Sequence, residues 1–265
     1  MYYDNRNIFQ SARLILARRN GPLHFTLEVG GKRIIYCYIR KNACTAFKKL
    51  FLAHSIAEPK PVEGENPIDF MIRHHRARFP RDYFAAQHII FVYRDPIERV
   101  VSVFRNKFVE EKGNSDIFES FQRLTGLDPY KCTFREFVNV YLQYEWRKLD
   151  PHLRPQYRHL LPVQYTDAIP LERLHEYMLC IVGEEVADRI FKNRTNASQD
   201  SCRDEQAEET VCDIPADELS RRLRQENIMP STNSFLDESL KRRLRLLYRE
   251  DVDMVSGLKT CPAKS

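Results

Sequence analysis

Two short polar segments, each at the end of an apolar run, carry residues that can bind an anion. The first follows residues 33–39 and reads Arg40-Lys41-Asn42-Ala43-Cys44-Thr45-Ala46. An amphipathic stretch begins directly after it, so the pattern predicts a strand, a short loop and a helix. Backbone N–H groups at a helix N-terminus favour an anion, and Lys41 and Thr45 add a positive charge and a hydroxyl donor. This segment therefore predicts a phosphate-binding loop.

The second polar segment follows the apolar run at residues 88–93 and begins another helix. Asp95 is expected at the N-cap, Pro96 at the first helical position and Glu98 at the third, which is a capping-box arrangement. Apolar residues then recur at helical spacing, so one face of this helix is expected to be buried. Ligands of open α/β sheets bind outside the carboxyl ends of strands. We therefore expect Arg94 and Ser102 to converge on one ligand.

The two segments together resemble the donor-binding signatures of sulfotransferases that use 3′-phosphoadenosine 5′-phosphosulfate (PAPS). Residues 40–48 resemble the loop that binds the 5′-phosphosulfate, and residues 94–102 resemble the element that binds the 3′-phosphate. The continuation through Asn106-Lys107-Phe108 and the segment at 150–156 are similar to the carbohydrate sulfotransferases of the chondroitin, dermatan and HNK-1 group. The resemblance implies a P-loop-like, three-layer α/β/α fold with a central, mainly parallel sheet.

The same resemblance implies an enzyme of the EC 2.8.2 class, which transfers a sulfuryl group in line from PAPS to a hydroxyl. The acceptor is expected to be a carbohydrate or a related molecule, including anionic ones, and neither a metal nor a nucleic acid is expected to take part. Lys41 is expected to neutralise the leaving oxygen, because a cation in a dry site lowers such a barrier. The residues expected to bind the donor are Arg40, Lys41, Asn42, Ala43, Cys44, Thr45, Ala46, Arg94 and Ser102.

Several side chains are candidates for the general base. His74 and His75 precede the second segment at a position similar to that of a functional histidine in heparan 2-O-sulfotransferases, and an ordinary histidine can accept a proton at neutral pH. His152 is the rival, because residues 150–152 resemble a histidine-containing stretch of the carbohydrate group. A carboxylate base at Glu110 or Glu111 is a further alternative.

Two other functions compete with sulfuryl transfer. A nucleotide-dependent phosphotransferase is disfavoured because the glycines of the Walker A pattern are missing and Lys41 precedes the turn instead of ending it. A non-catalytic polyanion-binding module with a sulfotransferase-like fold is disfavoured because Lys41, Thr45, Arg94 and Ser102 are all present. The mild net charge of +5 suits a polyanionic ligand without identifying one.

The composition is typical of a globular enzyme. With 265 residues, of which 43% are hydrophobic and 30% charged, the chain can bury a core as one domain over residues 1–265. The stretch at about 193–213 is polar and acidic, which predicts a mobile insertion. No stretch approaches the roughly 18 apolar residues that span a bilayer. We expect a soluble chain, cytoplasmic if it is bacterial, as the initiator Met favours, or alternatively a trimmed catalytic domain of the Golgi lumen.

Five further elements are predicted around the two polar segments. Gly30-Gly31 between two strand-like runs predicts a hairpin from Leu23 into the first strand. Thr133 with Glu136 predicts a capping box at the start of a helix. Residues 160–166 predict a further strand followed by a helix at 171–182, and residues 237–248 predict a basic amphipathic helix.

Overall fold

A computed structural model describes residues 21–59, 61, 64–192 and 210–259 of the chain. The predicted mobile insertion at 193–213 lies outside the described residues except for residues 210–213. Within that short remainder Val211 and Cys212 are buried, so the end of the polar stretch packs into a core. The described residues divide into two compact units, and the single domain over residues 1–265 stays a prediction.

The first unit contains the described residues of 1–94, 156–195 and 255–265, and it is built on a four-stranded sheet. The strands are β1 (His24–Val29), β2 (Lys32–Cys37), β3 (His88–Tyr93) and β4 (Asp167–Pro170), in that spatial order. β1 is antiparallel to β2, whereas β2, β3 and β4 run parallel. The sheet is therefore mixed and mainly parallel.

The predicted hairpin is confirmed. Val29 pairs with Lys32 in the antiparallel register of β1 and β2, which leaves Gly30 and Gly31 as the two turn residues. Both have positive φ, at 59° and 70°, which is the requirement of a two-residue turn that follows the right-handed twist of the strands. Glycine meets this requirement without the steric cost that a Cβ atom adds.

The strand predicted at residues 160–166 is wrong, because β4 begins only at Asp167. Pro162 supplies no backbone N–H, and Val163 N donates to Leu161 O at 2.8 Å in a tight turn. The ladder with β3 then starts where Ile90 pairs with Asp167. The helix predicted at 171–182 is a short 3₁₀ turn at Leu171–Arg173 followed by an α-helix from Leu174.

Most of the described helices of the first unit pack on one face of the sheet, whereas Tyr83 of the short helix Pro80–Phe84 contacts His24 on the other face. The helices on the first face pack a cluster of aromatic and aliphatic side chains that includes Phe25, Phe47, Phe51 and Met178. The opposite face carries Phe91 and contacts Tyr165, which belongs to an irregular segment and not to a helix. The unit is a mixed α/β structure, and the predicted P-loop-like, three-layer arrangement is not confirmed. Its helices are α1 (Cys44–His54), α2 (Pro67–His74), α3 (Pro80–Phe84), α7 (Leu174–Val182) and α8 (Glu184–Phe191).

The second unit contains the described residues of 95–155 and 196–254, and its described elements are helical. Its core is rich in phenylalanine, and the ring of Phe104 contacts those of Phe108, Phe137 and Phe235. Its α-helices are α4 (Pro96–Phe104), α5 (Ser115–Thr125), α6 (Phe134–Asn139), α9 (Ala216–Glu226) and α10 (Glu238–Leu247). A last helix, α11 (Arg249–Lys259), continues past the boundary of this unit.

Local capping signals in this unit are confirmed. The Asp95 carboxylate accepts hydrogen bonds from the backbone N–H groups of Ile97 and Glu98, at 2.8 Å and 3.0 Å. Thr133 and Glu136 form the predicted capping box at the start of α6, and Asp237 caps the basic helix α10. The apolar face predicted through Phe108 is buried, but the helix widens into a π-turn at Arg105–Val109.

Candidate functional site

The loop after β2 and the residue after β3 lie at the same edge of the sheet. β2 and β3 are parallel and neighbours, with Cys37 opposite Phe91 near their carboxyl ends. The residues that follow these ends are the phosphate loop, defined here as residues 40–45, and Arg94. This edge is where ligands bind in open α/β sheets. Within the first unit, the structure thus places the phosphate loop and Arg94, the first residue of the second predicted segment, at one edge of the sheet.

The backbone of the phosphate loop is strained at two positions. Lys41 has φ 69° and Ala43 has φ 58°, which places two residues with side chains in the left-handed region. That region costs an ordinary L-residue about 1–2 kcal/mol. Such outliers persist where the surrounding structure holds them, and they cluster at active sites and ligand clamps. Backbone N–H groups in turns of this kind can form an anion-binding concavity, although the N–H of Asn42 itself donates to Ile39 O at 3.2 Å.

The N-terminus of α1 is suited to an anion. Ala43 occupies the N-cap and has no side-chain group to accept from the helix, and the first turn contains neither Asp nor Glu. The first N–H groups of any α-helix lack partners within the helix, and the helix dipole favours negative charge beside them. Arg40, Lys41 and Thr45 are each partly exposed around this end of α1. The loop therefore combines positive charge, a hydroxyl and a helix N-terminus.

A pair of aromatic rings packs between β2 and α1, the two elements that flank the phosphate loop. The rings of Tyr36 on β2 and Phe47 on α1 are stacked, with centroids 3.7 Å apart and planes 3° apart. The Tyr36 hydroxyl points to the carbonyl oxygen of Asn42 at 3.5 Å. Burial raises the pKa of Tyr36 well above its usual value, so its hydroxyl keeps its proton and stays a donor. This packing connects the strand, the loop and the helix.

The side chain of Asn42 is turned into the protein. It is fully buried, and its Nδ2 donates to Val92 O at 2.8 Å and to Gln156 Oε1 at 2.6 Å. Gln156 is also fully buried and holds the backbone of Arg94. The sequence predicts Asn42 as a donor-binding residue, but its amide braces the loop and leaves only its backbone for a ligand. Gln156 lies in the segment 150–156 that resembles the carbohydrate sulfotransferases, but no sequence pattern near it predicts its partners.

The two neighbouring histidines are in different environments. His75 is buried, and its ring nitrogens lie 3.0 Å from Thr26 O and 2.7 Å from Ser55 Oγ. Both nitrogens thus have partners inside the protein, which argues against the predicted role of His75 as the base. His74 ends α2, is exposed, and has its ring against that of Phe70. The helix register explains the difference, since consecutive residues of a helix point to different sides.

In the second unit, His152 is paired with a buried carboxylate. Its Nδ1 lies 2.6 Å from Asp150 Oδ1, and its backbone N–H donates to the same oxygen at 2.7 Å. The side chain of Asp150 is 2% exposed, whereas that of His152 is 20% exposed. With Nδ1 donating to the carboxylate, the neutral ring keeps its basic lone pair on Nε2. This arrangement orients a histidine for proton transfer.

The backbone around His152 is held by two buried donors of the same unit. Arg99, fully buried on α4, donates from Nη2 to His152 O at 3.0 Å. The Tyr248 hydroxyl donates to Leu153 O at 2.9 Å. Burial raises the pKa of Tyr248, which keeps this donor protonated, while the charges of Arg99 and Asp251 act on it in opposite directions. The histidine is therefore presented by a fixed turn.

The remaining predicted residues of the second unit have mixed outcomes. Ser102 lies partly exposed on α4, and its role as a donor ligand stays a prediction. Glu110 accepts from Asn106 Nδ2 at 2.8 Å, and Glu111 accepts from Arg224 at 2.6 Å and from Ser220 at 2.9 Å. Both carboxylates serve local structure, which argues against the alternative of a carboxylate base.

Among the described residues, no three His, Cys, Asp or Glu side chains are grouped so that they could hold a metal ion. Over the same part of the chain, no helix combines the length and the apolar character that crossing a bilayer needs.

Comparison with known proteins gives related results at low identity. Carbohydrate sulfotransferase 14 of Mus musculus and of Homo sapiens are each 25% identical over 177 residues, which cover 61% of this chain and 46% of each relative. Carbohydrate sulfotransferase 12 of Xenopus laevis is 26% identical over 217 residues, covering 62% of this chain and 50% of the relative. The chain thus spans about half the length of these relatives. No solved structure matches it.

A family model covers most of the chain. The model described as "Sulfotransferase family" matches residues 28–254, a range that includes the phosphate loop, Arg94 and His152. The chain belongs to the sulfotransferase family.

Proposed function

We propose that this protein transfers a sulfuryl group from PAPS to a hydroxyl of a carbohydrate or related acceptor. The observation that carries the proposal is the phosphate loop, in which strained Lys41 and Ala43 precede a helix whose N-cap residue, Ala43, makes no side-chain cap hydrogen bond. An anionic ligand would make use of both features, because it accepts from the exposed N–H groups and compensates the positive helix end. Membership of the family supplies the sulfuryl chemistry.

The proposed roles of the first unit concern the donor. Backbone N–H groups of the phosphate loop, with Lys41 and the Thr45 hydroxyl, bind the 5′-phosphosulfate, and Arg94 binds the 3′-phosphate. Both lie beyond the carboxyl ends of parallel strands, which supports this assignment. Ser102 is assigned to the 3′-phosphate on the resemblance alone. Lys41 stabilises the negative charge that develops on the bridging oxygen, an effect worth several kcal/mol in a dry site.

The proposed reaction is an in-line displacement at sulfur. The acceptor oxygen forms a bond to sulfur while the bond from sulfur to the bridging phosphate oxygen breaks. The hydroxyl proton passes to a general base, and the electron pair of the broken bond leaves with adenosine 3′,5′-bisphosphate. By analogy with phosphoryl transfer, positioning and electrostatic stabilisation supply most of the acceleration.

His152 is the base that the contacts favour. Its pairing with buried Asp150 at 2.6 Å orients the ring and keeps the basic lone pair on Nε2. The carboxylate also stabilises the imidazolium that forms when the proton is taken, as in other carboxylate–histidine pairs. His74 remains the alternative base, because its ring is exposed and contacts the ring of Phe70.

The acceptor class is the coarsest part of the proposal. The relatives are named carbohydrate sulfotransferases, and on that likeness we propose a carbohydrate hydroxyl for this chain. The cellular compartment, cytoplasmic or Golgi lumen, stays a prediction of the sequence.

Calorimetric titration with adenosine 3′,5′-bisphosphate tests the donor site. The wild-type chain should bind it with micromolar affinity in the absence of Mg²⁺, and Arg94→Ala should weaken that binding by about tenfold or more, the value of a lost charge-assisted contact. Arg33→Ala is a matched control, since Arg33 belongs to the opposite end of β2 and pairs with Glu28. Binding of Mg-ATP alone would point to a phosphotransferase, and binding of heparin alone to a polyanion-binding module.

A further inference from the structure

Gln156 joins the phosphate loop to Arg94 through one side-chain amide. Its Oε1 accepts from Asn42 Nδ2 at 2.6 Å and from Arg94 N at 3.2 Å, and its Nε2 donates to Arg94 O at 3.0 Å. Both Gln156 and Asn42 are fully buried. Asn42 Nδ2 also donates to Val92 O at 2.8 Å, so the loop is tied to β3 at two points.

These contacts provide hydrogen bonds beyond the point where the pairing of β2 with β3 ends. The pairing of β2 with β3 ends at Cys37 opposite Phe91, so the backbone of Arg94 lies beyond it. The Gln156 amide satisfies the N–H and the C=O of Arg94 together, as the peptide group of a neighbouring strand would. The Gln156 amide therefore holds the backbone of Arg94 directly beyond β3, whose last pair with β4 is Tyr93 with Pro170.

We propose that Gln156 and Asn42 form a buried positioning pair that sets the spacing between the phosphate loop and Arg94. This inference rests on the proposed function, in which those two elements bind two phosphate groups of one nucleotide. Two anion-binding elements at a fixed spacing bind a ligand with two matching anionic groups more tightly, because binding of the first group pre-organises the second. The pair is thus a determinant of selectivity for the bisphosphate over either monophosphate.

The alternative, a purely structural role, has a different consequence. If the pair only stabilised the fold, its loss would weaken all nucleotide ligands to the same extent or none of them. If it sets the spacing, its loss weakens the ligand that uses both elements and spares ligands that use one. The ratio of affinities is therefore the informative measurement.

The experiment compares three ligands by calorimetry: adenosine 3′,5′-bisphosphate, adenosine 5′-monophosphate and adenosine 3′-monophosphate. In Gln156→Ala we expect affinity for the bisphosphate to fall by about tenfold and affinity for each monophosphate to fall by less than about threefold. The reason is that each anion-binding element stays intact and only the fixed spacing between them is lost. Gln87→Ala is the control, since Gln87 Oε1 accepts from Arg33 N at the other end of the sheet. That variant should keep the wild-type ratio.

A second variant covers the case in which Gln156→Ala does not fold. Gln156→Glu keeps the size and the acceptor oxygen but, when ionised, cannot donate to Arg94 O. Protonation restores that donor, so the bisphosphate preference of this variant, relative to wild type at the same pH, should recover as the pH falls toward 5. Asn42→Ala should also lower the preference for the bisphosphate over the monophosphates. The double variant of Asn42→Ala with Gln156→Ala should lower this preference by no more than the more affected single variant, because the two side chains act as one unit.

Each outcome has a definite meaning. Equal losses for the three ligands in Gln156→Ala, or an unchanged ratio in both position-156 variants, would overturn the positioning role and leave the proposed function intact. Failure of the folded wild type to bind the bisphosphate would instead remove the proposed function, and the positioning role with it.

Discussion

The carboxylate of Asp150 holds His152 by two hydrogen bonds to a single oxygen, one from the backbone N–H at 2.7 Å and one with ring Nδ1 at 2.6 Å. Both residues belong to one short turn, so the ring is fixed relative to its own backbone. A side chain held in this way needs little reorganisation when it takes a proton.

His152→Ala should lower turnover by about 10²–10⁴-fold, the usual contribution of general base catalysis, and leave affinity for adenosine 3′,5′-bisphosphate unchanged. Asp150→Asn should also lower turnover strongly, because the amide can donate to Nδ1 and move the ring proton to Nε2. Steady-state rates with a carbohydrate acceptor measure both effects. His74→Ala is the control; near-normal turnover of His152→Ala together with loss in His74→Ala would reverse the assignment of the base.

Lys41→Ala should lower turnover by about 10²–10³-fold, since it removes a cation from the leaving oxygen. Its effect on bisphosphate affinity should be smaller, because that charge develops chiefly in the transition state. Single-turnover rates and calorimetry separate the two quantities. The matched control is Lys49→Ala, an exposed lysine on α1, which should behave as wild type. A Lys41→Ala enzyme with wild-type turnover would exclude this leaving-group role.

The features that the sequence predicts well depend on neighbouring residues. The Gly30-Gly31 turn, the Asp95 cap and the capping box of Thr133 with Glu136 are each decided within a few residues, and all three are present. The phosphate loop was predictable for the same reason, because its strand, polar turn and helix follow one another directly.

The features that the sequence does not predict depend on distant contacts. Gln156 meets Asn42 across 114 residues and Arg94 across 62, and no pattern near Gln156 announces either partner. β4 begins later than its apolar run because pairing with β3, and not hydrophobicity, decides where a strand starts.

Strain in the phosphate loop leads to a stability prediction at Ala43. Gly adopts φ 58° without cost, whereas a β-branched residue is an outlier there. Ala43→Val should therefore have a free energy of unfolding about 2 kcal/mol below that of Ala43→Gly. Denaturant titration of both variants checks this. At exposed Lys49, inside helix α1, the order of stabilities should reverse. Lys49→Gly should be less stable than Lys49→Val there, because Gly is the poorer helix former. Equal stabilities of the two Ala43 variants would show that the loop is relaxed.

A buried histidine on β1 makes stability depend on pH. His24 is fully buried, its Nε2 lies 2.8 Å from the Tyr165 hydroxyl, and burial lowers its pKa to about 4. The unfolded chain, with an ordinary histidine pKa near 6.5, then binds more protons than the folded chain between about pH 6.5 and 4. The contribution of neutral His24 is therefore complete above pH 6.5 and is lost as the pH falls through that window.

The size of the effect follows from the two pKa values. Between pH 7 and pH 5 this group alone should remove about 2 kcal/mol from the free energy of unfolding. His24→Gln cannot be protonated, so its stability deficit relative to wild type, measured by denaturant titration, should shrink by about that amount over the same interval. His175→Gln is the control, because it replaces a histidine that is partly exposed and pairs with Asp188. A deficit for His24→Gln that stays constant from pH 7 to pH 5 would show that His24 titrates normally in the folded protein.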